Sequence, residues 1–492
     1  MKRYLPLVLL LASCANPEPA GVASMPQGSR PSPTEQKPPT HPDTGSAPTT
    51  GRHGTRADEW GGRTFLSNDD SMSLASAQRV LWAVAEGQRV ASAELRPHEL
   101  LNYFTFATKP VPTGDTFGVS ASAVRTEAGL ALALAVTGTR PERRPLDLTL
   151  VLDRSGSMEA EGRMEYLKRG LVKMLDRLRP GDRVDVVLFD DDVSVARSGF
   201  VVGRDDLDDL RLLFEELQPR GATDLDAGLE KAYELARSHT RLASEDQRDA
   251  RVVVVTDARL TAGDVNPARV TEIARAFDES GIRLAAVGVG SDFDDDVLQQ
   301  LTEKGRGAYV YLGSEKVVDR IFGAGFDSLV QVAADDVRFA LDLPDSLGMQ
   351  RFYGEEASTV AAEVVPVSFH GGTTQLFLQD LKVAPTGLVA EAPLVLDMTW
   401  RDPVTGKPRS QRWQGTVGGA LGGDRANVAK ARALMAWTDL VRVGPTGCHT
   451  EKRAWTTRAE AFGGDVETRY LDGLVATWCA DEERGGMIAE AE

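Results

Sequence analysis

Leu146-Asp147-Leu148-Thr149-Leu150-Val151-Leu152-Asp153-Arg154-Ser155-Gly156-Ser157 is the stretch on which the reading of this chain turns. Its apolar centre reads as a buried strand, and it closes on an acidic residue and two serines where a loop enters a helix at 163–178 that stops near Pro180-Gly181. Outward from it, the spacing predicts a strand over 185–189, an edge-like segment at 194–202, helices at 206–217 and after Asp224, and a buried strand over 251–256. Helix 267–280, strand 283–289, helix 294–304, strand 308–312 and helix 315–330 continue the alternation. Strands separated by helices make a doubly wound, mostly parallel α/β sheet, and in such sheets ligands collect at the carboxyl ends of strands. Two further pieces fall at such ends: Gly221-Ala222-Thr223-Asp224 before a helix, and Val254-Val255-Thr256-Asp257 closing a strand. With Asp153, Ser155 and Ser157, residues Thr223 and Asp257 complete a set of two carboxylates and three hydroxyls.

In that order the pieces resemble the von Willebrand factor type A family, whose metal-ion-dependent adhesion site combines Asp-x-Ser-x-Ser, a threonine and a later aspartate. The resemblance implies a metal site at Asp153, Ser155, Ser157, Thr223 and Asp257, with hydroxyls as direct ligands and the aspartates bound directly or through water. An all-oxygen, near-octahedral set suits Mg²⁺ first, with Mn²⁺ or Ca²⁺ as alternatives. Neutral hydroxyls leave the ion electrophilic, so the implied partner is a protein or peptide presenting an Asp or Glu carboxylate. One departure stands out: Ala258 follows the final aspartate where family members often have glycine, and alanine adopts positive φ less freely, so a different local loop is expected.

The flanks Glu99-Leu100-Leu101-Asn102-Tyr103-Phe104 and Leu471-Asp472-Gly473-Leu474-Val475 are similar to those of bacterial von Willebrand factor type A lipoproteins. For Leu100, Leu101, Tyr103 and Phe104, core packing explains the apolar side chains without any further role. The expected organisation is a lipoprotein signal peptide at 1–13, a disordered tether at 14–58, an N-terminal helical segment at 59–112 and a β-hairpin at 113–144. The type A domain follows at 145–331, then β-sandwich strands at 332–420 and a C-terminal helical segment at 421–492. Expected strands after the domain lie at 335–343, 358–368, 373–381, 393–400 and 409–416, pairing with the hairpin so that the α/β domain is inserted in a β-sandwich.

Lys2 and Arg3 precede the apolar run Leu5 to Leu11, which is too short to span a bilayer, and Leu11-Ala12-Ser13-Cys14 resembles a bacterial lipobox. The resemblance implies lipidation of Cys14 and a cell-envelope location, with Ala15 favouring the outer membrane; the other reading is an ordinary secretory signal. Residues 15–58, rich in Pro, Ser, Thr, Gly and Ala, cannot bury enough apolar surface to offset chain entropy. Cys448 and Cys479 then remain as an even pair, and helices at 450–462 and 465–478 about Gly463-Gly464 would bring them to one open end. A disulfide is expected there; two reduced, buried cysteines are the alternative.

A net charge of −17 without a basic stripe excludes a nucleic-acid partner. The acidic runs at 190–192 and 292–296 lack EF-hand spacing, and no pair of the six histidines has zinc-ligand spacing. Ser155 and Ser157 have neither a visible base nor a Gly-x-Ser-x-Gly elbow, so no enzyme is expected. Two functions remain: metal-dependent capture of a partner, or an envelope scaffold whose metal site is structural or vestigial and whose sandwich carries the interaction.

Overall fold

Each residue of the strand Leu146–Asp153 is buried, because parallel neighbours flank it and helices cover both its faces. Leu146, Leu148, Leu150 and Leu152 face the helix Arg163–Leu175 through Leu167, Leu171 and Met174. Val151 faces the opposite layer, built on Leu225, Leu229 and Ala232 of the helix Leu225–Leu242. The computed structural model describes residues 60–69, 74–242, 248–259, 267–290, 295–312 and 315–479. The expected signal peptide, Cys14, the tether and most of the acidic run at 292–296 lie outside the described residues.

The central sheet runs Val193–Val201, Arg183–Phe189, Leu146–Asp153, Asp249–Thr256, Arg283–Val289, Arg306–Leu312, parallel throughout except for its first, antiparallel pair. From Leu146–Asp153 the chain first winds to one side, to Arg183–Phe189, and later returns to the other, to Asp249–Thr256. The order therefore reverses between the strands that end at Asp153 and Thr256, and it is at the carboxyl ends of strands beside such a reversal that open α/β sheets bind ligands. At the far edge, Leu74 donates its N–H to Tyr309 O at 3.0 Å, and Tyr311 N–H reaches Gln78 Oε1 at 2.6 Å. The helix Ala75–Ala85 thereby covers backbone groups that an edge strand would otherwise leave open to pairing.

Two further sheets flank this domain in sequence. One is ordered Glu356–Ser358, Gly62–Ser67, Val332–Leu343, Pro393–Arg401, Pro408–Thr416, with Val367–His370 also on Val332–Leu343; the other is Leu347–Phe352, Thr374–Val383, Gly129–Gly138, Phe117–Thr126. Strands from before and after the central domain pair directly, Thr137 opposite Thr374 and Leu130 opposite Leu381. Gly129–Gly138 is the hinge of the layering. Its Leu130, Leu132, Leu134 and Val136 meet Phe339, Leu341, Leu396 and Met398 of the facing sheet. Its Ala131, Ala133 and Ala135 lie against Leu434 and Trp437 of the helix Ala426–Val443, where small side chains let the helix approach.

Several expectations change. Residues 59–112 are not purely helical, since Gly62–Ser67 is a strand between Val332–Leu343 and Glu356–Ser358. Leu347–Phe352 is a strand that periodicity does not announce. The strand expected over 358–368 is two short ones, Glu356–Ser358 and Val367–His370, parted by the 3₁₀ turn Ala361–Glu363. The helix expected over 315–330 breaks into Glu315–Val318, a π-turn at Asp319–Ala324 and Phe326–Val330, because Gly323 leaves helical geometry at φ −90°, ψ −112°.

His370 is 2% exposed and its Nδ1 donates to Ser328 O at 2.6 Å. Burial pushes its imidazole down to about 4 from 6.5, with the Arg251 and Arg283 charges adding to the effect and the Ser328 bond and Asp335 opposing it. The unfolded chain therefore binds a proton near pH 6.5 that the folded chain refuses until about pH 4. Stability is full above that window and falls through it by up to about 3 kcal/mol. Urea unfolding at pH 7 and pH 4.5 should show that loss in the wild type and a smaller one in His370→Asn; equal losses would remove His370 as the cause.

Candidate metal centre

Asp153 terminates its strand with no exposed surface, and both carboxylate oxygens are engaged. Oδ1 accepts the Ser155 N–H at 2.7 Å, which turns the chain out of the strand, and Oδ2 accepts the Thr256 hydroxyl from the neighbouring strand end. Burial pushes the Asp153 carboxyl up to about 6, and the nearby Asp257 charge adds to this, while the bonds from Ser155 and Thr256 pull the other way. The turn brings the Ser155 and Ser157 hydroxyls to 3.1 Å from one another.

The loop carrying Thr223 is fastened to this turn by backbone. Gly156 N–H donates to Gly221 O at 3.0 Å, and Arg220 N–H donates to Arg154 O. Asp190, buried at the end of the strand Arg183–Phe189, ties the same two loops by charge: it pairs with Arg154 Nε at 2.6 Å and Arg220 Nε at 2.8 Å. Asp190, the first residue of the acidic run at 190–192, is thus a clamp between loops. Gly221 sits at φ 70°, and a Cβ there would fall 1.9 Å from Asp191 Oδ1, so this turn requires glycine. Thr223, between the fastened Gly221 and Asp224, is 2% exposed.

The third loop follows Thr256. Its hydroxyl, besides donating to Asp153, accepts the Ala258 N–H at 2.8 Å. Ala258 is fully buried at φ 50°, so the alanine adopts the positive φ that was expected to be avoided, held there by the Thr256 hydroxyl. Asp257 has no exposed surface; its Oδ2 accepts from Arg163 Nη1 at 2.7 Å, and the same nitrogen reaches Ser157 O at 3.2 Å. Arg163, the Asp190 clamp and Thr256 are the residues that sequence reasoning missed. Thr256 stood inside a quoted motif; for Arg163 the nearest signal is Gly290 after a strand, where a Cβ would lie 2.2 Å from Arg163 Nε.

The donor chemistry fits a small hard cation. Two adjacent ligands of an octahedral Mg²⁺ at 2.0–2.1 Å lie about 3 Å apart, and the two serine hydroxyls already stand at 3.1 Å. Among the described residues no group of three or more His, Cys, Asp or Glu side chains is placed to hold a metal ion, so a cation here would lean on neutral hydroxyls.

These features define a doubly wound α/β domain in which loops bearing hydroxyls and carboxylates are fastened together where the strand order reverses. Residues 146–311 match the von Willebrand factor type A domain family, and this chain contains such a domain. That fold is of the protein-interaction and adhesion type. The chain is 22% identical over 293 residues to the uncharacterized protein YfbK of Escherichia coli strain K12, covering 57% of this chain and 49% of that protein. It is 26% identical over 181 residues to inter-alpha-trypsin inhibitor heavy chain H2 of Mesocricetus auratus, covering 36% of this chain and 18% of the relative. The chain thus spans half or less of the length of these curated relatives. Among solved structures, von Willebrand factor type A from Catenulispora acidiphila aligns over 75% of this chain and 91% of its own, at 13% identity and a TM-score of 0.46.

Proposed function

We propose that this chain is an envelope-held binding protein that captures a protein or peptide through one divalent cation at Asp153, Ser155, Ser157, Thr223 and Asp257. The pair of serine hydroxyls, hydrogen-bonded to one another at 3.1 Å beside the turn that Asp153 fixes through the Ser155 N–H, carries this reading. Ser155, Ser157 and Thr223 would hold the ion directly, and the two aspartates directly or through water. When bound, the cation supplies a positive centre for a carboxylate of the partner. Mg²⁺ is the first candidate and Mn²⁺ or Ca²⁺ the alternatives. Catalysis is not part of the proposal. Lipidation of Cys14, with anchoring in the outer membrane, belongs to the same reading. Among the described residues no helix is long and apolar enough to cross a membrane.

The second reading, a scaffold whose metal site is structural or vestigial, has an observation in its favour: Asp257 is already neutralised by Arg163. Capture from envelope extracts by the immobilised protein separates the two. Under the first reading the same bound protein appears in Mg²⁺ and disappears in EDTA and with Asp153→Ala. Capture indifferent to both treatments would sink it.

A further inference from the structure

Arg163 opens the helix Arg163–Leu175, a position where an arginine usually points into water, yet it is 1% exposed. Its guanidinium runs back to the Ser157 and Asp257 loops instead. Nη1 donates to Asp257 Oδ2 at 2.7 Å and to Ser157 O at 3.2 Å, so one cationic group joins two of the three site loops. Glu161 Oε2 stands 3.4 Å from Nη2. The seat is shaped for the side chain: Gly290 follows the strand Arg283–Val289 at φ 93°, and any Cβ there would lie 2.2 Å from Nε and 2.6 Å from Cζ. Guanidinium stays charged at every physiological pH. A buried, permanent positive charge therefore already shares the carboxylate that a divalent ion would use.

We infer that Arg163 is a resident cation that sets the divalent-metal affinity of this site, holding the Ser157 and Asp257 loops together without metal and competing with the incoming ion for Asp257. The inference rests on the metal-binding reading above. An ion entering beside Arg163 meets like-charge repulsion in a poorly solvated place, and Asp257 must be shared between two cations. Affinity for the bare ion is thereby low. A partner's carboxylate, by adding negative charge, offsets the repulsion, so metal and partner favour each other's binding.

The test uses the full chain, wild type, Arg163→Met and Arg163→Gln, with Mg²⁺ binding read by calorimetry and Mn²⁺ binding by electron paramagnetic resonance. With the like charge removed, the variants are expected to bind both ions at least about tenfold more tightly than the wild type. In EDTA their melting temperatures are expected to fall, because Asp257 loses its counter-charge, and Mg²⁺ is expected to restore them. Metal binding by the variants but not the wild type also supports the inference. Variants that bind no more tightly than a metal-binding wild type overturn it and leave the metal reading standing. Silence in all three proteins overturns both. Variants that unfold in EDTA and are not restored by Mg²⁺ show an arginine needed for the fold alone, which also overturns the inference.

Discussion

Asp153→Asn is expected to weaken Mg²⁺ binding by about 10–100-fold while leaving the metal-free fold no less stable than the wild type. The carboxylate is wholly buried and faces the Ser155 N–H on one side and the Thr256 hydroxyl on the other. An amide can keep only one of these acceptor roles. With its oxygen toward Ser155, its NH₂ meets a Thr256 oxygen that already accepts from Ala258, and the hydroxyl hydrogen loses its acceptor. The strand ends carrying Ser155 and Asp257 are then no longer braced, and loss of such an orienting partner lowers metal affinity by about 10–100-fold. Stability moves differently, because the substitution also removes an ionised group from a place where burial disfavours charge. Melts with and without Mg²⁺, beside calorimetric titration, separate the two effects. A variant that melts well below the wild type in EDTA, or gains as much from Mg²⁺, would contradict this account of Asp153.

Reducing the Cys448–Cys479 bond should lower stability by roughly 3.5 kcal/mol, the chain-entropy value for a loop of this size. The two cysteines are joined across a sequence separation of 31, with a Cα–Cα distance of 6.0 Å. They close the open end of the hairpin made by Cys448–Phe462 and Val466–Trp478 about Gly463 and Gly464, both at positive φ. Within it, Trp455 Nε1 donates to Asp472 Oδ1 at 2.8 Å, and Asp465 caps the second helix by accepting from Thr468 N–H at 2.8 Å. Lys430 reaches across from Ala426–Val443 to Asp465 and Glu467, so the hairpin keeps polar ties once the sulfur bond is gone. Urea unfolding with and without reductant, and of Cys448→Ser/Cys479→Ser, measures the effect. The cluster to which both cysteines belong contains no residue of the central sheet, so Mg²⁺ titrations should be unchanged by reduction. A loss under about 1 kcal/mol would mean that the unfolded chain gains little freedom from opening this loop.

The central domain was legible because its strands are buried on both faces and so write themselves as continuous apolar runs, with polar turns marking where each ends. Arg251 to Thr256 and Arg283 to Val289 are found within two residues for that reason. Gly62–Ser67 and Leu347–Phe352 were not, since six residues carry too little periodicity and each is a strand through partners distant in sequence: Val332–Leu343 for the first, Thr374–Val383 for the second. The site divides in the same way. Asp153, Ser155, Ser157, Thr223 and Asp257 all stand at strand ends or helix starts, where spacing along the chain predicts position in space. Arg163 reads in sequence as an ordinary first-turn residue, and only the fold reveals that it turns inward toward Asp257. The alanine at 258 misled for a related reason: its tolerance of positive φ comes from the Thr256 hydroxyl, a contact no propensity contains.

The pairing of Thr137 with Thr374, 237 residues apart, has a consequence for synthesis. A ribosome adding about 5–20 residues each second leaves Gly129–Gly138 waiting roughly 10–50 s for the neighbour it will hydrogen-bond. Meanwhile the α/β segment between them emerges whole, with all six of its sheet strands available. Its leucine-lined face stays without a permanent cover during that delay, so nascent chains stalled just past residue 330 should be the species most prone to stick to one another and most in need of a holding chaperone.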